Sequence, residues 1–118
     1  MAPARRRLLA ALALVYTHNM SAKQIVEQKI EEGGRIVVFS KSYCPYCNAT
    51  KKLLKDLGED FDVYELDQLD DGSDWQAYLA DKTGQRTVPS VFINKKHIGG
   101  NSDLQALHKS GELKKLLA

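Results

Sequence analysis

Apolar residues recur along the chain with two periods, and the switches between them mark its elements. From Ser21 the spacing is helical. Ile25, Val26 and Ile30 share one side, Ser21 and Gln24 match a capping box, and Gly33-Gly34 stops the run. Arg35 to Phe39 is a short continuous apolar strand, the pattern of a strand buried on both faces. Helical spacing resumes at Cys44 or Pro45, with Ala49, Leu53, Leu54 and Leu57 inward and Lys51, Lys52 and Lys55 outward, and Gly58 ends it. Phe61 to Leu66 alternates apolar and acidic residues and predicts a second strand, followed by a polar loop from Asp67 to Gly72. Ser73, with Gln76 three positions on, predicts the cap of a third helix that carries Trp75, Tyr78 and Leu79 and ends at Gly84. Val91 to Ile93 reads as a third strand, Asn94-Lys95-Lys96 as a hairpin turn and His97-Ile98 as a short fourth strand. After Gly99-Gly100 a helix holds Leu104 and Leu107. Gly111 interrupts it, and Leu113, Leu116 and Leu117 line an amphipathic terminal helix.

The order α-β-α-β-α-β-β-α-α places the chain in the α/β class. Two strands joined through a helix run parallel, and two joined by a tight turn run antiparallel. A mixed four-stranded sheet with helices on both faces follows. At 118 residues the chain has the length of one domain with one hydrophobic core, expected over residues 21–118.

Charge separates the first twenty residues from this domain. The formal net charge is +2, yet Arg5, Arg6 and Arg7 precede the first acid, Glu27. Without those three arginines, 14 basic and 15 acidic residues remain, a net of −1. The body therefore has no broad basic footprint, which argues against a nucleic-acid partner. The nine apolar residues Leu8 to Tyr16 fall short of the roughly 20 that span a bilayer. Stable membrane insertion is not expected. Residues 1–20 read instead as a removable leader: Arg-rich and acid-free, as in a mitochondrial address, with a secretory signal as the rival. Met20 offers an alternative start that would leave the domain in the cytoplasm.

The chemistry centres on Cys44-Pro45-Tyr46-Cys47, which holds both cysteines of the chain. Two cysteines are too few for a disulfide scaffold or, unaided, for a four-ligand zinc site. His18, His97 and His108 are scattered without ligand spacing and read as surface or packing residues. A Cys-x-x-Cys pair between a strand and a helix reads as a redox motif. The nucleophile must be a thiolate, and a free cysteine, with pKa about 8.5, is mostly protonated near neutrality. Cys44 at the helix start faces unpaired N–H groups that stabilise negative charge, and Lys41 three residues before it adds a cation. Cys47, one turn inside, should be more buried. Cys44 is therefore the expected attacking thiol and Cys47 the resolving thiol. A structural disulfide is the alternative, but so short a loop would contribute only about 2 kcal/mol. Half of a metal site completed by a second chain is another.

Two further segments could position a substrate. Pro89 in Thr87-Val88-Pro89 reads as an ordinary trans strand start; with a cis bond, the Val88 backbone would turn outward and could pair with an extended peptide. In Gly99-Gly100-Asn101-Ser102-Asp103, the glycines allow a close approach, the helix start suits an anion, and Asp103 could accept from an ammonium. Together they suit a zwitterionic head group, with a plain turn and helix cap as the other reading.

These three motifs, in this order and spacing, resemble those of dithiol glutaredoxins, and the flanking Gly84 to Pro89 and Ile93 to Gly100 look most like fungal members. The resemblance covers residues 21–118 and implies a thioredoxin-like fold, a cis bond before Pro89, and glutathione as co-substrate with no tightly bound cofactor. It implies a monomeric oxidoreductase, acting on glutathionylated and disulfide-containing proteins. Carried over by motif, Lys41 and Gln76, with Arg86 nearby, would meet the glycyl carboxylate. Tyr46 and Thr87 would line the groove, and Val88, before Pro89, would pair with the cysteinyl backbone. Ser102 and Asp103 would hold the γ-glutamyl head. Proline after the first cysteine is usual in members that bind no iron–sulfur cluster, so no metal is expected. A cluster carrier and a flavoenzyme-served, thioredoxin-type reductase are the alternative functions on the same fold.

Overall fold

A computed structural model of the protein describes residues 20–118, so the expected leader lies outside the described residues except for Met20. Helix α1, Ala22–Glu32, begins at the predicted capping box: Ser21 Oγ accepts the Gln24 N–H, and the Gln24 side chain accepts the Ser21 N–H. Strand β1, Ile36–Ser40, is buried along its whole length. Helix α2, Pro45–Asp56, follows, then strand β2, Asp62–Glu65, and a 3-10 turn, Leu66–Gln68. Helix α3 spans Gly72–Thr83. Strands β3, Ser90–Ile93, and β4, Lys96–Gly99, form a hairpin. Asn94 and Lys95 turn it with φ of 51° and 68°, the left-handed pair that suits a two-residue connection. Helices α4, Asn101–Ser110, and α5, Glu112–Leu116, close the chain, with Gly111 between them at φ 84°.

The sheet order is β2-β1-β3-β4, with β1 and β2 parallel and the remaining pairs antiparallel. This is the mixed four-stranded sheet of a thioredoxin-like fold. Successive β1 residues face opposite sides, so its apolar run feeds two cores. Val37 and Phe39 join Val26, Ile30, Trp75, Leu79 and Phe92 under α1 and α3. Ile36 and Val38 join Leu54, Val91, Ile93, Leu104 and Leu113 under α2, α4 and α5. Phe39 anchors the first core, with ring centroids 5.7–6.3 Å from Tyr64, Trp75 and Phe92.

These directions bring four strand ends to one edge of the sheet. The C-terminal ends of β1, β2 and β4 and the N-terminal end of β3 meet there. Cys44, Asp67, Pro89 and Gly100, each just beyond one of those ends, therefore become neighbours although scattered in sequence.

Several local expectations change. Ser73, expected to cap α3, lies inside the helix, which starts two residues earlier with Asp71 at the cap position. Gly72 is the reason: a Cβ there would stand 1.8 Å from the Leu66 carbonyl oxygen, so only glycine lets the helix start pack on the turn. Leu57, expected inward on α2, is 40% exposed at the helix end. Lys51, expected outward, lies partly buried and paired with Glu65 of β2 at 2.6 Å. Gly72→Ala should therefore destabilise the protein by about 2 kcal/mol or more, read as a lower urea midpoint at unchanged slope. A wild-type midpoint would show that Leu66 yields freely.

Candidate active site

The chain leaves β1 at Ser40 and enters α2 at Pro45, and the four residues between carry the site. Proline at the first helical position has no N–H to satisfy. Cys44 is the N-cap: its sulfur accepts the Cys47 N–H at 3.4 Å. The thiol thus takes the place of the hydroxyl or carboxylate that usually caps a helix. The connecting turn is held from outside. Asp67, just past β2, accepts the Ser42 N–H at 2.9 Å and also the Ser42 hydroxyl. These bonds hold the Asp67 carboxyl below its ordinary pKa.

Both cysteines are free thiols, and their surroundings differ. Cys44 is half-buried and Cys47 has no exposed surface. Partial burial alone would push the Cys44 thiol up. The Cys47 side chain, the backbone N–H groups of Cys47 and Tyr46, and the positive charge of Lys51 outweigh it, so Cys44 ionises below the ordinary thiol value. Cys47 moves the other way: burial, together with the sulfur of Cys44 beside it, pushes its thiol up. The two thiols are thus shifted in opposite directions, as the attacking and resolving roles expected from sequence would require. The cation is different, since the lysine acting most strongly on Cys44 is Lys51 rather than Lys41.

A groove of about 410 Å³ opens beside this sulfur, lined by Tyr46, Thr87, Val88, Pro89, Gly100, Asn101 and Ser102. The Val88–Pro89 bond is cis, as the resemblance implied and the plain reading of the sequence did not. The Val88 carbonyl faces Cys44, 3.9 Å from its sulfur. Tyr46 is 68% exposed and forms the outer lip. An adjoining polar hollow of about 400 Å³ shares Thr87, Gly100 and Ser102 and adds Gln85, His97 and Asp103. Asp103 Oδ2 accepts the Gly100 N–H at 3.1 Å.

Tyr46, Thr87, Val88, Pro89 and Ser102 therefore meet in one groove, with Asp103 next door. Lys41, Gln76 and Arg86 line neither space. Gln76 Nε2 instead donates to the Arg86 carbonyl at 3.0 Å and ties α3 to the loop before Pro89. Asn101, Asp67, Lys51 and Gln85 were not picked out from sequence. Asn101 is held in the groove wall by Thr50 and Gln105, at 2.9 and 3.2 Å. Of these, Asn101 and Gln85 stood in segments the sequence had marked, Gly99 to Asp103 and Gly84 to Pro89. Among the described residues, no group of three or more His, Cys, Asp or Glu is placed to hold a metal, and no helix is long and apolar enough to cross a membrane.

The chain is similar to known proteins in both sequence and fold. The family model described as Glutaredoxin matches residues 36–98. The chain is 50% identical over 97 residues to glutaredoxin-2 of Schizosaccharomyces pombe, covering 82% of this chain and 87% of that protein. It is 52% identical over 93 residues to a glutaredoxin of Vernicia fordii, covering 79% and 89%. Among solved structures it is similar to a buckwheat glutaredoxin–glutathione complex, with TM-score 0.79, 47% identity, and 81% and 86% of the two chains covered.

The origin of the Cys44 acidity is open to titration. The pH midpoint of Cys44 alkylation should lie below that of an ordinary thiol. Cys47→Ala should raise it by removing the S–H donor, and Lys51→Gln should raise it more than Lys41→Gln does. Equal effects of the two lysines would restore Lys41 as the relevant cation. Because the folded pKa is depressed, ionised Cys44 adds stability above the unfolded thiol's pKa, and that stability fades as pH falls through the folded value. The stability difference between reduced wild type and Cys44→Ser should follow the same course.

Proposed function

The chain belongs to the glutaredoxin family, and from that premise we propose how its own residues carry out glutathione-dependent thiol–disulfide exchange. The observation that carries the reading is the Cys44 sulfur itself. It is held as a helix cap, biased toward the thiolate, and open to a groove with the Val88 carbonyl 3.9 Å away.

The Cys44 thiolate attacks the glutathione sulfur of a protein–glutathione mixed disulfide. A Cys44–glutathione disulfide forms, and the protein thiolate leaves and takes up a proton. A second glutathione thiolate attacks the glutathione sulfur of that disulfide, releases oxidised glutathione and returns Cys44 as the thiolate. With a protein disulfide, Cys44 forms a mixed disulfide with one half. The Cys47 thiolate then attacks the Cys44 sulfur and displaces the protein thiolate, leaving a Cys44–Cys47 disulfide for two glutathione molecules to reduce. The two thiols time this step themselves. The negative Cys44 sulfur helps to hold Cys47 protonated. Once Cys44 is bound in a disulfide that charge is gone, and Cys47 ionises more readily.

The groove supplies recognition. Tyr46 and Thr87 flank the peptide, and Val88 pairs with the cysteinyl backbone by strand addition. Ser102 and the α4 start take the γ-glutamyl carboxylate, and Asp103 its ammonium; no described hydrogen bond engages Asp103 Oδ1. Lys41 and Arg86 act from the other end as cations for the glycyl carboxylate, with the remaining Gln76 N–H beside them. The electrons arrive as glutathione thiolates, so the monomer needs no tightly bound cofactor. The partners in this reading are glutathionylated and disulfide-containing proteins. The leader would send one form to the mitochondrion, and a start at Met20 would leave another in the cytoplasm. N-terminal sequencing from fractionated cells would find both ends, and a single secreted form would overturn that assignment.

The division of labour has a direct test. Cys47→Ser should retain deglutathionylation of a glutathionylated peptide and lose reduction of a protein disulfide, whereas Cys44→Ser should lose both. Activity of Cys44→Ser in a glutathione-coupled assay would overturn the assignment.

A further inference from the structure

Gln85 lines the polar hollow beside the groove, and its side-chain amide joins the loop before β3 to β4. Its Nε2 donates to the Pro89 carbonyl at 2.7 Å and to the Thr87 carbonyl at 2.9 Å. Its Oε1 lies 3.0 Å from His97 Nε2 on β4. A Cβ on Gly100 would stand 3.5 Å from both Gln85 Nε2 and the Pro89 oxygen, so the second wall of the groove packs on the same joint. The Gln85 backbone is anchored as well: its N–H donates to Thr83 Oγ1 at 3.1 Å, and that hydroxyl donates to the Leu79 carbonyl at 2.7 Å.

The chemistry of these contacts is restrictive. Two carbonyl oxygens within 2.9 Å of one atom require a donor with two hydrogens, so that atom is the amide nitrogen. The other end is then the oxygen, and the ring nitrogen facing it must carry a hydrogen. His97 is therefore in its Nε2–H form, packed against Phe92 at 5.2 Å. The two carbonyls held are those on either side of Val88. The Val88 carbonyl is left facing Cys44, and among the described residues no hydrogen bond engages its N–H. Asparagine would be too short for this span, and glutamate would set an acceptor against two acceptors.

We infer that Gln85 is a positioning residue for the glutathione moiety: it clamps the loop on both sides of Val88, so that the Val88 backbone is presented at a fixed height above Cys44. The inference rests on the groove reading given under the proposed function. It adds a residue that touches neither reacting sulfur and acts through the Val88 backbone. Its effect is expected on recognition of the glutathione part of a disulfide, not on thiolate chemistry as such.

The test uses one peptide carrying a single cysteine, prepared as its mixed disulfide with glutathione and with 2-mercaptoethanol, which offers the groove no backbone. Wild type should prefer the glutathione form. In Gln85→Glu and Gln85→Met that preference should fall by about tenfold, the scale of two lost hydrogen bonds, with the loss in KM rather than kcat. A wild type without preference would overturn the groove reading itself. Variants that keep the wild-type preference, or lose rate equally on both disulfides, would overturn the role of Gln85 alone. The nitrogen shifts of the His97 ring in the wild-type protein test the same point without a variant. The Nε2–H form supports the clamp, and a neutral Nδ1–H form overturns it.

Discussion

The hydrogen bond from the Cys47 N–H to the Cys44 sulfur is the contact on which the rest of the site depends. A helix start must satisfy its first N–H groups, and here a thiol sulfur does so at 3.4 Å. The bond is stronger to a thiolate than to a thiol, so the helix gains a better cap when Cys44 ionises. The reduced form is thereby favoured over the disulfide, since a bridged sulfur carries no charge for the donors to hold. Pro45 contributes by needing no partner of its own. The rest of the scaffold has to deliver one sulfur to this position and keep it there.

Topology does the delivery. β1 is buried on both faces and cannot shift register without exposing one of two cores, so the point where it releases the chain is set by packing. The parallel neighbour β2 ends at the same edge and supplies Asp67, which fastens the turn before Cys44. The antiparallel hairpin returns Pro89 and Gly100 to that edge. The Val88 carbonyl then stands 3.9 Å from the sulfur, with the Gly100 turn in the wall of the groove beside it. The loops and helix starts that shape the site meet the sheet at this edge, while the strands contribute packing and the polar side chains of Glu65 and His97.

How much of this could be read from the chain depends on the range of the contact. β1 was legible because Ile36 to Phe39 are apolar without a break. Cys44 at a helix start was legible because Pro45 follows it. The hairpin, the caps of α1 and the division into two thiol environments are equally local. What escaped depends on partners far along the chain. Ser73 matches a helix cap by its neighbours, and only the Leu66 carbonyl packed against Gly72 moves the start forward. Lys51 belongs to the outward face by periodicity, and Glu65 draws it in. Gln85 stands in a turn-rich stretch with no periodic pattern, and its value lies in Thr87, Pro89 and His97 converging on one amide. Leu57 shows the opposite error: an apolar residue at the right spacing is left half out because the helix ends there.

Lys51 also explains why the acidity of Cys44 rests on direction more than on charge. It lies 2.6 Å from Glu65 with both side chains mostly buried, so the field that reaches the sulfur is that of a pair rather than of a free cation. Among the groups that favour the Cys44 thiolate, the Cys47 thiol and the two backbone N–H groups come ahead of that lysine. Hydrogen bonds of this kind are short-ranged and are screened little by salt, whereas an exposed lysine at a distance would lose its effect at physiological ionic strength. They also depend on where the sulfur is. When Cys44 turns toward a substrate sulfur or toward Cys47, the donors stay on the helix and the stabilisation is withdrawn as the new bond forms. A thiolate held this way is stabilised while free and leaves readily when displaced, and both properties are needed in a sulfur that must be nucleophile and leaving group within one cycle.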